Sequence, residues 1–106
     1  MAKMNISVLE FKPVNRNTLV GFAVIYIAEL RLRVRDISIH EKNGERWVQL
    51  PAKAQIDREG NTIRKDGKIQ YATLLEWSDA ATRVAFAHAV IAALLEHAPN
   101  AFGRAA

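Results

Sequence analysis

Asn43-Gly44 is the feature that most constrains how this chain can fold. The pair readily takes two positive φ angles and so closes a two-residue hairpin whose twist matches its strands. An antiparallel pair is therefore predicted, with residues 30–42 running in and residues 46–50 running back until Pro51 stops them. The incoming strand carries a second constraint. Leu32 and Val34 share one face, opposite Arg31, Arg33 and Arg35, yet Ile37 and Ile39 have the parity of the arginines. A strict period of two cannot bury both apolar pairs, so a β-bulge or sharp bend is predicted near Arg35-Asp36.

The rest of the chain fits around that hairpin. Residues 6–12 are rich in β-formers and read as a first strand that Pro13 ends. Asn15-Arg16-Asn17 is turn-like. Residues 19–29 read as a second strand, apolar on both faces: Phe22, Val24 and Tyr26 on one, Ala23, Ile25 and Ile27 on the other. Such a strand is central or covered on both sides, and Gly21 marks a bend in it. Glu29-Leu30 must turn the chain into the third strand. Residues 52–66 form a polar loop with turn points at Glu59-Gly60-Asn61 and Asp66-Gly67. Its length and few apolar anchors predict mobility in the absence of a ligand. Residues 68–77 alternate as a fifth strand. Ser78 is the predicted N-cap of a helix over residues 79–97, with Val84, Phe86, Ala87, Val90, Ile91, Leu94 and Leu95 as its apolar stripe. Pro99 ends the helix. The predicted fold is α+β: a curved antiparallel sheet of four to five strands, then one C-terminal helix packed on one face. It forms a single domain over residues 1–98, with a short tail over 99–106 in which Phe102 tucks back.

Composition bounds the function. The chain has 106 residues, half of them apolar, which suits one globular domain with an adequate but small core. It has no cysteine, which excludes disulfides and thiolate metal sites and fits a reducing cytoplasm. The formal net charge is +4, which admits polyanionic partners. No long apolar segment follows the first five residues, so no secretory signal is expected. The apolar run over residues 19–28 is about half of what a membrane helix needs, so no membrane partner is expected.

Two features carry candidate chemistry. Arg31, Arg33 and Arg35 alternate along one strand, with about 7 Å between successive members, a spacing comparable to the phosphates of an extended nucleic acid. The competing reading is a solvated edge whose arginines block aggregation. The second feature is the basic stretch with Lys53, Arg58, Arg64, Lys65 and Lys68, flanked by Trp47 and Tyr71. Both aromatics have the chemistry to stack on bases, although such residues also serve in cores. His40, His88 and His97 lack metal-ligand spacing, and His88 is expected among the apolar residues of the helix. Asp57 and Glu59 have no apolar surroundings to raise a carboxyl pKa, and no serine sits in a nucleophile motif. No catalytic residue, metal site or cofactor is predicted, and an enzyme is not expected.

Arg35-Asp36-Ile37, Asn43-Gly44 and the run Trp47-Val48-Gln49-Leu50-Pro51-Ala52-Lys53 resemble the stage V sporulation protein G (SpoVG, septation regulator) family. The resemblance covers residues 17–53 well and the later strand and helix more loosely. It implies a small antiparallel sheet with a helix, a homodimer, and DNA or RNA binding in bacterial gene regulation. Lys53 keeps the family's lysine position, whereas Ala52 and Ala54 replace its serine and second basic residue. Contacts mainly to the nucleic-acid backbone are therefore expected. A protein-interaction or inhibitor module is the alternative.

Overall fold

The computed structural model describes residues 4–103. Strands β1 (Ile6–Arg16), β2 (Leu19–Ile27), β3 (Leu32–Lys42) and β4 (Glu45–Gln49) pair in chain order as one antiparallel sheet. Four short strands follow: β5 (Ala52–Ala54), β6 (Arg64–Lys65), β7 (Lys68–Ile69) and β8 (Tyr71–Thr73). The helix α1 (Ala80–His97) then packs against one face of the sheet. The fold is α+β, with an open four-stranded antiparallel sheet and one C-terminal helix.

The core lies between sheet and helix. Val8, Val20, Ala23, Ile25, Ile37 and Ile39 are buried with Phe86, Val90, Ala93 and Leu94 of the helix. Three irregularities let strands of mixed pattern present apolar residues to that one face. In β1, Leu9 is the extra residue between the pairs Val8↔Ile25 and Glu10↔Val24. Val8 and Phe11 therefore both reach the core side, although their spacing is odd. In β2, Val20 is the extra residue between Leu19↔His40 and Gly21↔Ile39, and it is fully buried. In β3, Arg35 and Asp36 together lie between Val34↔Ile25 and Ala23↔Ile37, and Asp36 takes φ 60°. The bulge expected from parity thus sits at Arg35-Asp36. It puts Val34 and Ile37 on one side, and extra residues of this kind bend the strand and increase its twist.

The turns follow residue chemistry. Asn43 and Gly44 have φ 51° and 83°, both positive as a type I′ hairpin requires. The return from β2 to β3 is a 3-10 turn over Ala28–Leu30, capped by Arg31 in the left-handed region at φ 49°. Glu29 fixes this turn. Its carboxylate accepts from the Asn5 backbone N–H at 3.0 Å and from Asn5 Nδ2 at 2.8 Å. The helix is capped by Asp79 rather than Ser78. Asp79 is extended, at φ −148° and ψ 157°, and its Oδ1 accepts from the Thr82 N–H at 2.7 Å. Both residue types cap well, and the chain enters the helix one residue later than predicted.

Several expectations are corrected. Pro13 does not end β1, which continues to Arg16 and pairs Pro13 with Gly21. As β1 is an edge strand, its missing N–H is tolerated. The fifth strand does not join the sheet. It divides into β7, which pairs with β6, and β8, which pairs with β5. Beyond β4 and Pro51 the chain enters β5, which pairs with β8 in a separate two-stranded sheet. Residues 52–66, read as a loop, contain the short paired strands β5 and β6. Together with residues 67–73 they form a hydrogen-bonded arm that forks at Gln55, Ile63 and Gln70. Gln55 N–H donates to the Gln70 carbonyl at 2.8 Å, Ile63 N–H to Gln55 at 2.9 Å, and Gln70 N–H to Ile63 at 2.9 Å. One branch turns at residues 57–61, where Asp57 Oδ1 accepts from the Glu59 and Asn61 N–H groups. The other turns at Asp66-Gly67, both with positive φ. No residue of the arm is buried, so its order comes from backbone pairing rather than a core. On the helix, Val84 and His88 are exposed, not part of the buried stripe. After the helix, Ala98, Ala101 and Phe102 pack against the core, and residues 104–106 of the predicted tail lie outside the described residues.

Gly21 offers a direct test of the sheet geometry. A Cβ there would collide with the Lys12 carbonyl oxygen and approach the Phe11 ring to 2.8 Å. Gly21→Ala is expected to lower stability by about 1–3 kcal/mol, the usual range for overpacking, read as a lower denaturant midpoint with an unchanged slope. A wild-type midpoint would refute this close approach of β1 to β2.

Candidate nucleic-acid interface

The sheet has a second face that no helix covers. Directly opposed residues on neighbouring strands share a face, so the pairs Phe22↔Ser38, Tyr26↔Arg33 and His40↔Trp47 lie together on the side away from the core. Phe22 is 38% exposed, and Val24 and Tyr26 are half-buried. This is the apolar surplus of the second strand, left uncovered in the single chain. Arg33 stands on the same face, and Arg35 sits in the bulge opposite Val24. Arg31 departs from the predicted row. It precedes β3 in a left-handed conformation, so strand alternation does not align it with Arg33. All three arginines are exposed and form no ion pair with any described residue.

The other predicted residues divide between the strands and the arm. Trp47 is half-buried on β4 and stacks on His40, with ring centroids 5.3 Å apart and planes within 4°. Lys53 lies exposed on β5 at the root of the arm. Arg58 is in one turn of the fork. Arg64, Lys65 and Lys68 belong to the other, where Arg64 donates to the Gly67 carbonyl at 3.2 Å. The basic loop is therefore split: Arg58 sits between Asp57 and Glu59 in one turn, and the net positive charge gathers at Arg64, Lys65 and Lys68 in the other. None of these cations has an ion-pair partner among the described residues. Arg46, by contrast, is neutralised: it bonds Glu41 at 2.9 Å and lies over the Phe102 ring at 4.0 Å.

His40 is the residue of this face that residue-type reasoning passed over. Its Nδ1 pairs with Thr18 Oγ1 at 3.1 Å, while its Nε2 is buried without a partner. Burial holds its pKa below the ordinary 6.5, so the ring is neutral at pH 7. The signal that finds the stack is the hairpin itself: counting back from Asn43-Gly44 pairs Lys42 with Glu45, Glu41 with Arg46 and His40 with Trp47.

Two concave regions flank β4. A cavity of about 560 Å³ opens on the uncovered face, lined by Leu19, Phe22, Asp36, Ser38, His40, Gln49, Leu50, Pro51, Ala52 and Tyr71. Tyr71 and Ala52 reach it from the root of the arm. A groove of about 690 Å³ runs between β4, the end of the arm and the helix, past Leu50, Pro51, Leu75, Trp77, Val84 and His88. The Trp77 ring packs on Phe86 there, with centroids 4.8 Å apart. Among the described residues no group of three or more His, Asp or Glu side chains is placed to hold a metal ion. No described helix is long and apolar enough to cross a membrane. Comparisons with protein-family models, curated proteins and solved structures found no match for this chain.

The His40 environment predicts a pH dependence with a definite sign. A folded pKa below the unfolded value means that the unfolded chain binds the proton first. His40 therefore stabilises the fold fully above about pH 6.5, and that contribution is lost as the pH falls through the folded pKa. The melting temperature of the wild type should fall more between about pH 7.5 and 5.5 than that of His40→Gln, since other titrating groups are common to both. Parallel melting curves for the two proteins would remove His40 from this account.

Proposed function

We propose that this protein is a small cytoplasmic nucleic-acid-binding module that acts as a homodimer in bacterial gene regulation. The observation that carries the reading is the set of exposed, unneutralised cations beside exposed aromatic surface. Arg33 and Arg35 lie beside Phe22, Val24 and Tyr26, and Lys53 lies at the root of an arm that carries Arg58, Arg64, Lys65 and Lys68. Cations without protein partners are available to phosphates, and pairing with phosphate releases counterions. The resemblance of residues 17–53 to the stage V sporulation protein G family supports the same reading, with Lys53 in a shared position. Dimerisation is supported by the uncovered apolar side of β2, which a second copy would shield. Trp47 enters this reading as a partly sheltered aromatic, held by its stack on His40.

A protein-interaction or inhibitor module is the second reading. The groove beside β4 favours it, since Leu75 and Val84 are exposed along a free strand edge.

Salt dependence separates the two. Removing one phosphate-binding cation should flatten the slope of log affinity against log salt by about 0.7–0.9. Arg33→Gln combined with Arg35→Gln is expected to weaken binding to any DNA or RNA strand and to flatten the slope by about twice that amount. Lys65→Ala with Lys68→Ala measures the arm in the same way. Folding should change by no more than about 0.5 kcal/mol, because all four side chains are exposed. Absence of salt-dependent binding in the wild type would exclude the nucleic-acid reading. Light scattering that shows a monomer at micromolar concentration would exclude the homodimer.

A further inference from the structure

The cavity on the uncovered face differs in charge from the surface around it. The chain as a whole carries a net charge of +4, yet among the described residues no lysine or arginine lines the cavity. Its lining includes one carboxylate, Asp36, together with neutral Ser38, Gln49 and a His40 that burial keeps unprotonated at pH 7. The Asp36 carboxylate makes no hydrogen bond or ion pair with any described residue. Phe22 and Tyr71 contribute aromatic surface, and Tyr71 is 61% exposed. Its volume of about 560 Å³ falls within the range of small-molecule sites.

We infer that this cavity receives one unstacked base of a bound single strand, with guanine preferred, while the phosphates stay on the cations outside. The inference rests on the nucleic-acid reading above and adds a site to it. A phosphate is repelled by the unpaired Asp36, so the anionic part of the ligand stays out. A base has the opposite character: flat faces for Phe22 and Tyr71, and N–H groups on its edge. An ionised carboxylate only accepts hydrogen bonds. Guanine offers it adjacent N1–H and N2–H donors, whereas thymine and uracil offer a single N3–H. The Gln49 amide, which both donates and accepts, complements the guanine O6. Recognition of single strands commonly takes this form, with a splayed base stacked on aromatic side chains and bonded on its Watson–Crick edge. A lysine- or arginine-bearing peptide would also complement a carboxylate. The cationic surroundings, with Arg35 next to Asp36 and Lys53 next to Ala52, disfavour it.

The backbone at Asp36 makes the test clean. Its φ of 60° suits Asp and Asn alike, so Asp36→Asn removes the charge and preserves the bulge. Fluorescence polarisation at pH 7 would use labelled short oligothymidylates and oligouridylates, each with one central guanine, cytosine, adenine or the parent base. Wild type is expected to bind the guanine-bearing strand on the order of tenfold more tightly than the parent strand. In Asp36→Asn the preference should collapse, while affinity for the parent strand stays level or rises because a negative charge has gone. Tyr71→Ala should weaken the guanine-bearing strand more than the parent. Circular dichroism confirms that both variants are folded. Equal affinity for all central bases in the wild type would overturn the cavity inference and leave the nucleic-acid reading standing. Binding of no oligomer would overturn both. Binding of a labelled arginine-containing peptide that Asp36→Asn abolishes, without any base preference, would assign the cavity to a protein partner instead.

Discussion

One helix covers one side of a sheet whose second strand is apolar on two sides. The packing of Phe86, Val90, Ala93 and Leu94 against Ala23, Ile25, Ile37 and Ile39 makes the buried core of the described residues. Everything else hangs from it. It gathers β1, β2 and β3 against the helix, and the hairpin after β3 positions β4. The same packing leaves Phe22, Val24 and Tyr26 facing outward. For a small domain, roughly a third of the unfolded surface stays exposed, and here part of that remainder is an apolar sheet face beside arginines. The fold and the candidate interface are two consequences of one asymmetric burial.

The bulges reconcile that burial with a sequence that does not alternate cleanly. Without the extra residue at Arg35-Asp36, Ile37 and Ile39 would take the arginine face and leave the core without two fully buried side chains. Burying a large aliphatic side chain contributes about 1.5–3 kcal/mol, whereas a non-glycine residue at positive φ costs about 1–3 kcal/mol. The exchange favours the bulge because it turns two isoleucines inward for one strained residue, and aspartate tolerates that conformation better than most. The same device places Asp36 on the rim of the outer cavity. A feature required for packing thus also sets the electrostatics of the opposite face.

The arm obeys different physics. It has no buried residue, and its two turns are held by backbone pairs and by the Asp57 side chain. Its cations are spread over separate branches, and Asp57, Glu59 and Asp66 offset part of their charge. The root of the arm contributes more structure than its ends, because Tyr71 and Ala52 close one side of the cavity.

Much of the local geometry is written in residue chemistry and spacing. Asn43-Gly44 specified the type I′ hairpin and, by counting, every pair across β3 and β4 including His40 with Trp47. The parity conflict located the bulge at Arg35-Asp36, and the apolar run with Pro99 specified the helix and its end. These were legible because each depends on φ preferences or on side-chain period within a few residues. Tertiary structure decided the rest. Pro13 could remain in β1 only because that strand lies at the edge, and residues 68–73 left the sheet because the segment after Pro51 pairs with them instead. Which side of β2 is covered, and that Asp36, Phe22 and Tyr71 meet in one cavity, depended on how distant strands and the arm come together. Residue spacing records none of that, because such meetings are settled by competition for a single helix-sized area of cover.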